Sequence, residues 1–225
     1  MKTGIIVAME KELALLLPHI ENLSKTTVNG FTFHCGRMGG RDIVVSQCGI
    51  GKVNAAVGAL TLIDSFHPAI VINTGVAGGT GSSADAPTLL DVVLADAVAY
   101  HDVWCGFDST HGQAAGCPAV FTSPLPPQIR EQLGVKGGLV ASGDIFISEP
   151  DDLARVLKIH PDAVAVDMES AAIAHVCHLK SVPFVCIRVI SDTPGKADNS
   201  AQYRDFWAEA PQLATDTLSR LIALL

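Results

Sequence analysis

Apolar residues recur along this chain in two rhythms. Short, β-branched blocks stand at residues 4–8, 69–73, 163–166 and 182–190, and each reads as a strand buried on both faces. Elsewhere apolar positions return at helical spacing. Leu13, Leu15, Leu16 and Leu17 follow Met9-Glu10-Lys11-Glu12, until Pro18 bends or ends that helix. Further helices are expected over residues 53–66, 126–133 and 168–178, the last with Ile173, Val176 and Cys177 on one face. Residues 31–35 and 42–48 flank a glycine-rich 36–40 and predict a hairpin. Residues 91–100 predict one long strand, and 139–142 a short one running into Gly143-Asp144-Ile145-Phe146-Ile147. Tyr203, Phe206 and Trp207 lead a C-terminal helix to Leu225, after a mobile-looking Thr193-Pro194-Gly195-Lys196.

Strand–helix–strand crossovers make parallel sheets. The predicted class is therefore α/β: one domain over residues 1–225, three layers, with a mixed, largely parallel twisted central sheet. In such sheets ligands bind beyond the carboxyl ends of the strands. One strand runs into Asp167-Met168-Glu169 and another ends in Ser191-Asp192, so Glu169 and Asp192 are expected over one pocket. Glu12 follows the first strand on the same side. It suits a helix dipole, and it is also a candidate for chemistry. Arg188 sits inside an apolar strand and needs a buried acid; Glu12 is the expected partner.

Three motifs have competing readings. Thr74-Gly75-Val76-Ala77-Gly78-Gly79 lets a ligand approach the backbone, or is a plain glycine turn. Gly49-Ile50-Gly51-Lys52 lacks the spacing and the Ser or Thr of a P-loop, and reads as a tight turn into a helix packed close to the sheet. Tyr100-His101-Asp102 reads as a buried, hydrogen-bonded His–Asp pair rather than a catalytic one.

Composition narrows the classes. Of the 225 residues, 48% are hydrophobic and 17% charged, a surface short of charge that suggests a homo-oligomer. A net charge of −8 argues against nucleic acid as a partner. Six cysteines without a CxxC pair read as reduced thiols of a cytoplasmic protein. No basic-then-apolar leader opens the sequence and no run is long enough to span a bilayer, so no membrane role is expected. The eight histidines form no HExxH, and His175 with His178 lacks a third ligand; no metal and no cofactor are expected.

The segments MKTGIIVAMEKELALLL, GIGKVNAA, INTGVAGG, YHD, SGDIFI, VDMES and FVCIRVISD span nearly the whole chain. Together they resemble the bacterial 5′-methylthioadenosine/S-adenosylhomocysteine nucleosidases, within the nucleoside phosphorylase superfamily. The resemblance implies hydrolysis of methylthioadenosine, S-adenosylhomocysteine and 5′-deoxyadenosine to adenine and a 5′-substituted ribose. It gives Asp192, oriented by Ser191, the proton for N7 of adenine. Glu12 activates the water, with Arg188 positioning either. Glu169 beside Met168 anchors the ribose hydroxyls. Phe146 stacks on the purine, and the backbone at Ile147 reads its edge. Ile50 touches the sulfur-side substituent and Tyr203 lines the 5′ pocket, with Met9 and Val76 as further substrate-binding positions. Phe107, on the loop 103–118, completes the neighbouring subunit's pocket in a homodimer. Phosphorylases of the superfamily hold phosphate with an arginine and a serine where this chain has Asn73 and Val76, which favours water as the nucleophile. Tyr203 stands where the family usually has phenylalanine, and Val76 where many members have serine. An aminodeoxyfutalosine nucleosidase is the first alternative, a phosphate-dependent purine nucleoside phosphorylase the second and a non-catalytic nucleoside-binding protein the third.

Overall fold

A computed structural model describes residues 2–194, 199–209 and 211–225. In chain order its elements are β1 (Thr3–Val7), α1 (Glu10–Leu16), β2 (Glu21–Val28), β3 (Phe31–Met38), β4 (Arg41–Gln47), α2 (Lys52–Phe66), β5 (Ile70–Gly79), β6 (Val92–Leu94), β7 (Ala97–Tyr100), β8 (Phe121–Thr122), α3 (Pro127–Leu133), β9 (Leu139–Ser142), α4 (Pro150–Ile159), β10 (Ala163–Asp167), α5 (Ser170–Leu179), β11 (Phe184–Asp192), α6 (Asn199–Glu209) and α7 (Pro211–Leu224). Gly195 and Lys196 of the mobile-looking segment lie outside the described residues.

The strands join one mixed sheet in the order β2-β3-β4-β1-β5-β10-β9-β7-β8, with β11 added against β5 and β6 against β11. β5 is its hub. One edge carries β11 in parallel from Phe184↔Val71 to Ile190↔Ala77. The other edge is shared: β1 pairs in parallel with Ile70–Asn73, and β10 pairs antiparallel at Gly78 and Gly79. Residues 74–77 have no strand neighbour on that edge, which leaves an opening at the carboxyl end of β1.

Helices cover both faces, giving three layers. On one face α2 and α5 bury Ala55, Ala59, Leu62, Ala171, Ile173 and Cys177. On the other, α1 and α7 bury Leu16, Leu218, Leu221 and Ile222. β11 is buried at every position, which explains its unbroken apolar run and makes Arg188 within it exceptional.

The structure departs from the sequence reading at five places. Residues 91–100 form two strands, because consecutive amides leave for different neighbours: Ala95 N–H donates to Cys186 O and Asp96 N–H to Gly138 O, each at 2.9 Å. The glycine-rich stretch after Asn73 is no turn; it continues β5, held by β11 throughout. β2 was not expected, since it is polar and almost wholly exposed. Its signal was Asn29-Gly30, whose positive φ values of 49° and 83° make a hairpin turn into β3. The C-terminal helix is two, α6 and α7, with Pro211 opening the second. Helix α4 also escaped the reading, although Pro150 and the acids Asp151 and Asp152 in its first turn announce a helix start.

Candidate active site

The carboxyl ends of β1, β5, β10 and β11 converge on one cavity. Its lining includes Met9, Glu12, Ile50, Val76, Phe146, Ile147, Met168, Glu169, Ser191, Asp192 and Tyr203. Two predicted site residues stand elsewhere: Arg188 is buried behind the wall at 2% exposure, and Phe107 is 97% exposed on its loop.

Glu12 folds back over the start of α1. Its Oε2 accepts from Ala8 N–H and Met9 N–H, each at 2.9 Å, satisfying amides that a helix leaves free. Its Oε1 accepts from Val76 N–H at 3.1 Å, across the opening in the β5 edge. Gly75 makes this approach possible, since a Cβ there would collide with the carboxylate. Burial raises the proton affinity of Glu12; the three amides and the charge of Arg188 oppose that rise without cancelling it.

Glu169 caps the start of α5 and accepts from Gly51 N–H at 2.8 Å through Oε1. Burial and then the neighbouring charge of Asp167 lift its pKa to about 7. Asp192 ends β11; burial raises its pKa, and the Ser191 hydroxyl donates to its Oδ1 at 2.6 Å. Across the cavity, Phe146 meets Tyr203 edge-on at 5.7 Å between centroids, and the Tyr203 hydroxyl donates to Met9 Sδ at 3.4 Å.

Arg188 does not pair with Glu12. Its Nε donates to Asp167 Oδ2 at 2.9 Å, and its Nη2 reaches both Asp167 and the side-chain oxygen of Asn73. Glu12 is turned onto three amides, and the guanidinium makes its contact pair with another buried acid, Asp167. Its charge still reaches Glu12 through space. Asn73 Nδ2 donates in turn to Ile6 O at 3.0 Å, which ties this network to β1.

The expected His101–Asp102 pair is absent too. Asp102 Oδ2 accepts from Lys52 Nζ at 2.6 Å and from Asp144 N–H at 2.9 Å. His101 is buried with Nε2 unpartnered among the described residues, and burial lowers its pKa. Sequence reasoning also missed Asn199, which is 3% exposed and donates from Nδ2 to Ile147 O at 3.4 Å. Asn199 lies in no periodic apolar pattern that would have marked it.

Acids with raised proton affinity, one against a hydroxyl and one against backbone amides, are arranged to split acid and base roles. Among the described residues no group of three His, Cys, Asp or Glu is disposed to hold a metal ion. The chain belongs to the phosphorylase superfamily, whose family model matches residues 2–225, and within it to the 5′-methylthioadenosine/S-adenosylhomocysteine nucleosidases. The Neisseria meningitidis nucleosidase, solved with methylthio-immucillin-A, is 33% identical over 100% of this chain and 99% of its own, with a TM-score of 0.92. The S. pneumoniae nucleosidase, solved with a transition-state inhibitor, is 34% identical over 99% of each chain, with a TM-score of 0.90. A futalosine hydrolase of Helicobacter pylori is 26% identical over 100% of this chain and 98% of its own, with a TM-score of 0.88.

Proposed function

We propose that this nucleosidase hydrolyses the N-glycosidic bond of 5′-substituted adenine nucleosides: methylthioadenosine, S-adenosylhomocysteine and 5′-deoxyadenosine. The products are adenine and the 5′-substituted ribose. The observation that carries this reading is that Glu12, Glu169 and Asp192, from three separate strand ends, line one cavity opposite Phe146 and Ile147.

Cleavage needs a protonated leaving base, a stabilised oxocarbenium-like sugar and a held nucleophile. Burial raises the proton affinity of Asp192, which suits it to deliver a proton to N7 of adenine. Glu169 accepts from the ribose hydroxyls beside Met168, and its negative charge favours the cationic transition state. Glu12 takes the proton of the attacking water. Arg188 acts on Glu12 by charge and not by contact, holding the carboxylate's proton affinity below what burial alone would give.

Water rather than phosphate is the nucleophile in this reading. Asn73 is engaged by Arg188 and Ile6, and Val76 offers only an amide already given to Glu12. Incubation with methylthioadenosine in phosphate-free buffer is expected to release adenine; no adenine would sink the proposal.

The assembly we propose is a homodimer in the cytoplasm. Val53, Val57 and Leu60 leave an exposed apolar stripe along α2, and Trp104 and Phe107 leave another on the loop 103–118. In this proposed dimer the exposed Phe107 would enter the neighbour's pocket and close its 5′ side.

One observation favours a second substrate. The Tyr203 hydroxyl stands in the cavity beside Met9 and offers a polar group toward the 5′ side, as a futalosine-type substituent would require. Side-by-side kinetics on methylthioadenosine and aminodeoxyfutalosine decide between them by kcat/KM.

A further inference from the structure

The turn Gly49-Ile50-Gly51-Lys52 and the motif Tyr100-His101-Asp102 take no part in the chemistry above, yet both connect to it. Helix α2 starts at Lys52 with no side-chain cap at Gly51 and no acid in its own first turn. The first amides of a helix have no partner within it and carry the positive end of its dipole. Here they are answered from far along the chain. Gly51 N–H donates to Glu169 Oε1 at 2.8 Å, and Lys52 N–H donates to Asp144 Oδ1 at 2.7 Å. The Lys52 ammonium then crosses to Asp102 Oδ2 at 2.6 Å, and that same oxygen accepts Asp144 N–H at 2.9 Å. Gly51 sits at φ +94°, and a Cβ there would press on Asp144 Oδ1 at 3.1 Å.

Three carboxylates from three loops thus meet one helix end, and Lys52 supplies the only side-chain cation paired with them in this cluster among the described residues. The two side chains are partly shielded, at 23% and 16% exposure, although the pair lies at the protein surface. Asp144 immediately precedes Ile145-Phe146-Ile147, which line the cavity opposite Glu169. We infer that Lys52 is a positioning residue, whose ion pair with Asp102 sets the base platform at Phe146 and Ile147 relative to the ribose anchor Glu169. The lysine is not a ligand for phosphate, since its ammonium is held by Asp102 and lies 5.6 Å from the Tyr100 ring centroid. This inference rests on reading the cavity as an adenine nucleoside site.

Without the ion pair Asp102 is no longer tied to the start of α2, and the base loop it holds through Asp144 N–H loses its register. The test measures adenine affinity by calorimetry and steady-state kinetics on methylthioadenosine for the unsubstituted chain, Lys52→Met and Lys52→Arg. Losing one charge-assisted contact of this kind is expected to weaken adenine binding about tenfold in Lys52→Met. KM should rise by a similar factor while kcat falls much less, and Lys52→Arg should recover most of the loss. A folded Lys52→Met that binds adenine and substrate normally, even with a lowered melting temperature, overturns the inference. If Lys52→Met does not fold, Asp102→Asn removes the same ion pair with the smallest change of shape and carries the same expectation and the same overturning result. Failure of the unsubstituted chain to bind adenine would remove the base site itself, and this inference with it.

Discussion

Arg188 and Asp167 form a buried ion pair with Nε to Oδ2 at 2.9 Å, and both side chains are 2% exposed. Asp167 does a second task there, accepting from Ser170 N–H at 3.2 Å and Ser170 Oγ at 2.9 Å at the start of α5. One carboxylate thereby ties β10, α5 and β11 together at the cavity wall. Removing one partner of a buried pair leaves an uncompensated charge, which typically costs about 3–5 kcal/mol. Asp167→Ala is expected to lose stability of that order in denaturant unfolding. A loss near the value of a surface pair, about 0–1 kcal/mol, would mean that water reaches the guanidinium and that the pair is not truly buried.

The raised proton affinity of Glu169 carries a sign for stability. Its pKa is about 7 in the fold against an ordinary 4.5, so the folded chain keeps a proton that the unfolded chain releases. The protonated group contributes fully below pH 4.5, and its contribution is lost as pH rises to about 7. Glu12 and Asp192, also raised by burial, act in the same direction. His34, His101 and His175 are lowered by burial and act oppositely. The informative quantity is therefore the stability difference between the unsubstituted chain and Glu169→Gln. It should move in favour of Glu169→Gln as pH rises through this window, and a difference independent of pH would contradict the shift.

Asp192→Asn keeps shape and the contact with Ser191 but has no proton to deliver. Losing a general acid costs about two to four orders of magnitude in rate. Turnover of methylthioadenosine should fall by that much, while adenine binding persists because Phe146 and the Ile147 backbone are untouched. Near-normal turnover in the folded variant would take Asp192 out of the mechanism.

Much of this site was readable before any coordinates. An apolar run closed by an acid marks a strand that delivers a side chain to the carboxyl edge of a sheet, and Glu169 and Asp192 met over one cavity as that rule expects. Pairing was not readable. Glu12 and Asp167 both stood at strand ends, and sequence separation does not say which acid the guanidinium of Arg188 touches. The fold decides it: Glu12 is turned onto three backbone amides, while Asp167 faces the guanidinium. The Asp102–Lys52 pair was hidden for a similar reason, since its members lie 50 residues apart, one at a helix start and one on a loop. β2 was missed because an exposed polar strand carries no apolar period, and Asn29-Gly30 was its only mark.

Phe107 should report on assembly. A phenyl ring 97% exposed contributes little to the stability of its own subunit, so Phe107→Ala should leave the melting temperature almost unchanged. If the ring completes a neighbour's pocket, the variant should raise KM for methylthioadenosine but leave the affinity for adenine intact. Sedimentation of the unsubstituted chain should give a dimer. A monomer fully active across dilution would reject both the assembly and the role of Phe107.

Glu12 decides between water and phosphate. Its carboxylate is held by three amides at the opening between β1 and β10, facing the cavity that contains Asp192 and Glu169. An anion at that place repels phosphate, whereas it draws a proton from water. The neighbouring positions offer phosphate no cation: Asn73 is spent on Arg188, and Arg188 is spent on Asp167. Adenine release should therefore proceed at the same rate with and without phosphate, and the sugar product should be the free reducing ribose derivative. Glu12→Gln keeps the shape and can still accept Ala8 N–H and Met9 N–H through its one oxygen, but it gives up the acceptor for Val76 N–H and cannot take a proton. Its hydrolysis rate should fall by about two to four orders of magnitude, with adenine binding retained. The sugar made in phosphate buffer is the measurement that matters most. Recovery of a ribose 1-phosphate would mean that phosphate reaches the anomeric carbon despite Glu12, and the base role given to that residue would fall.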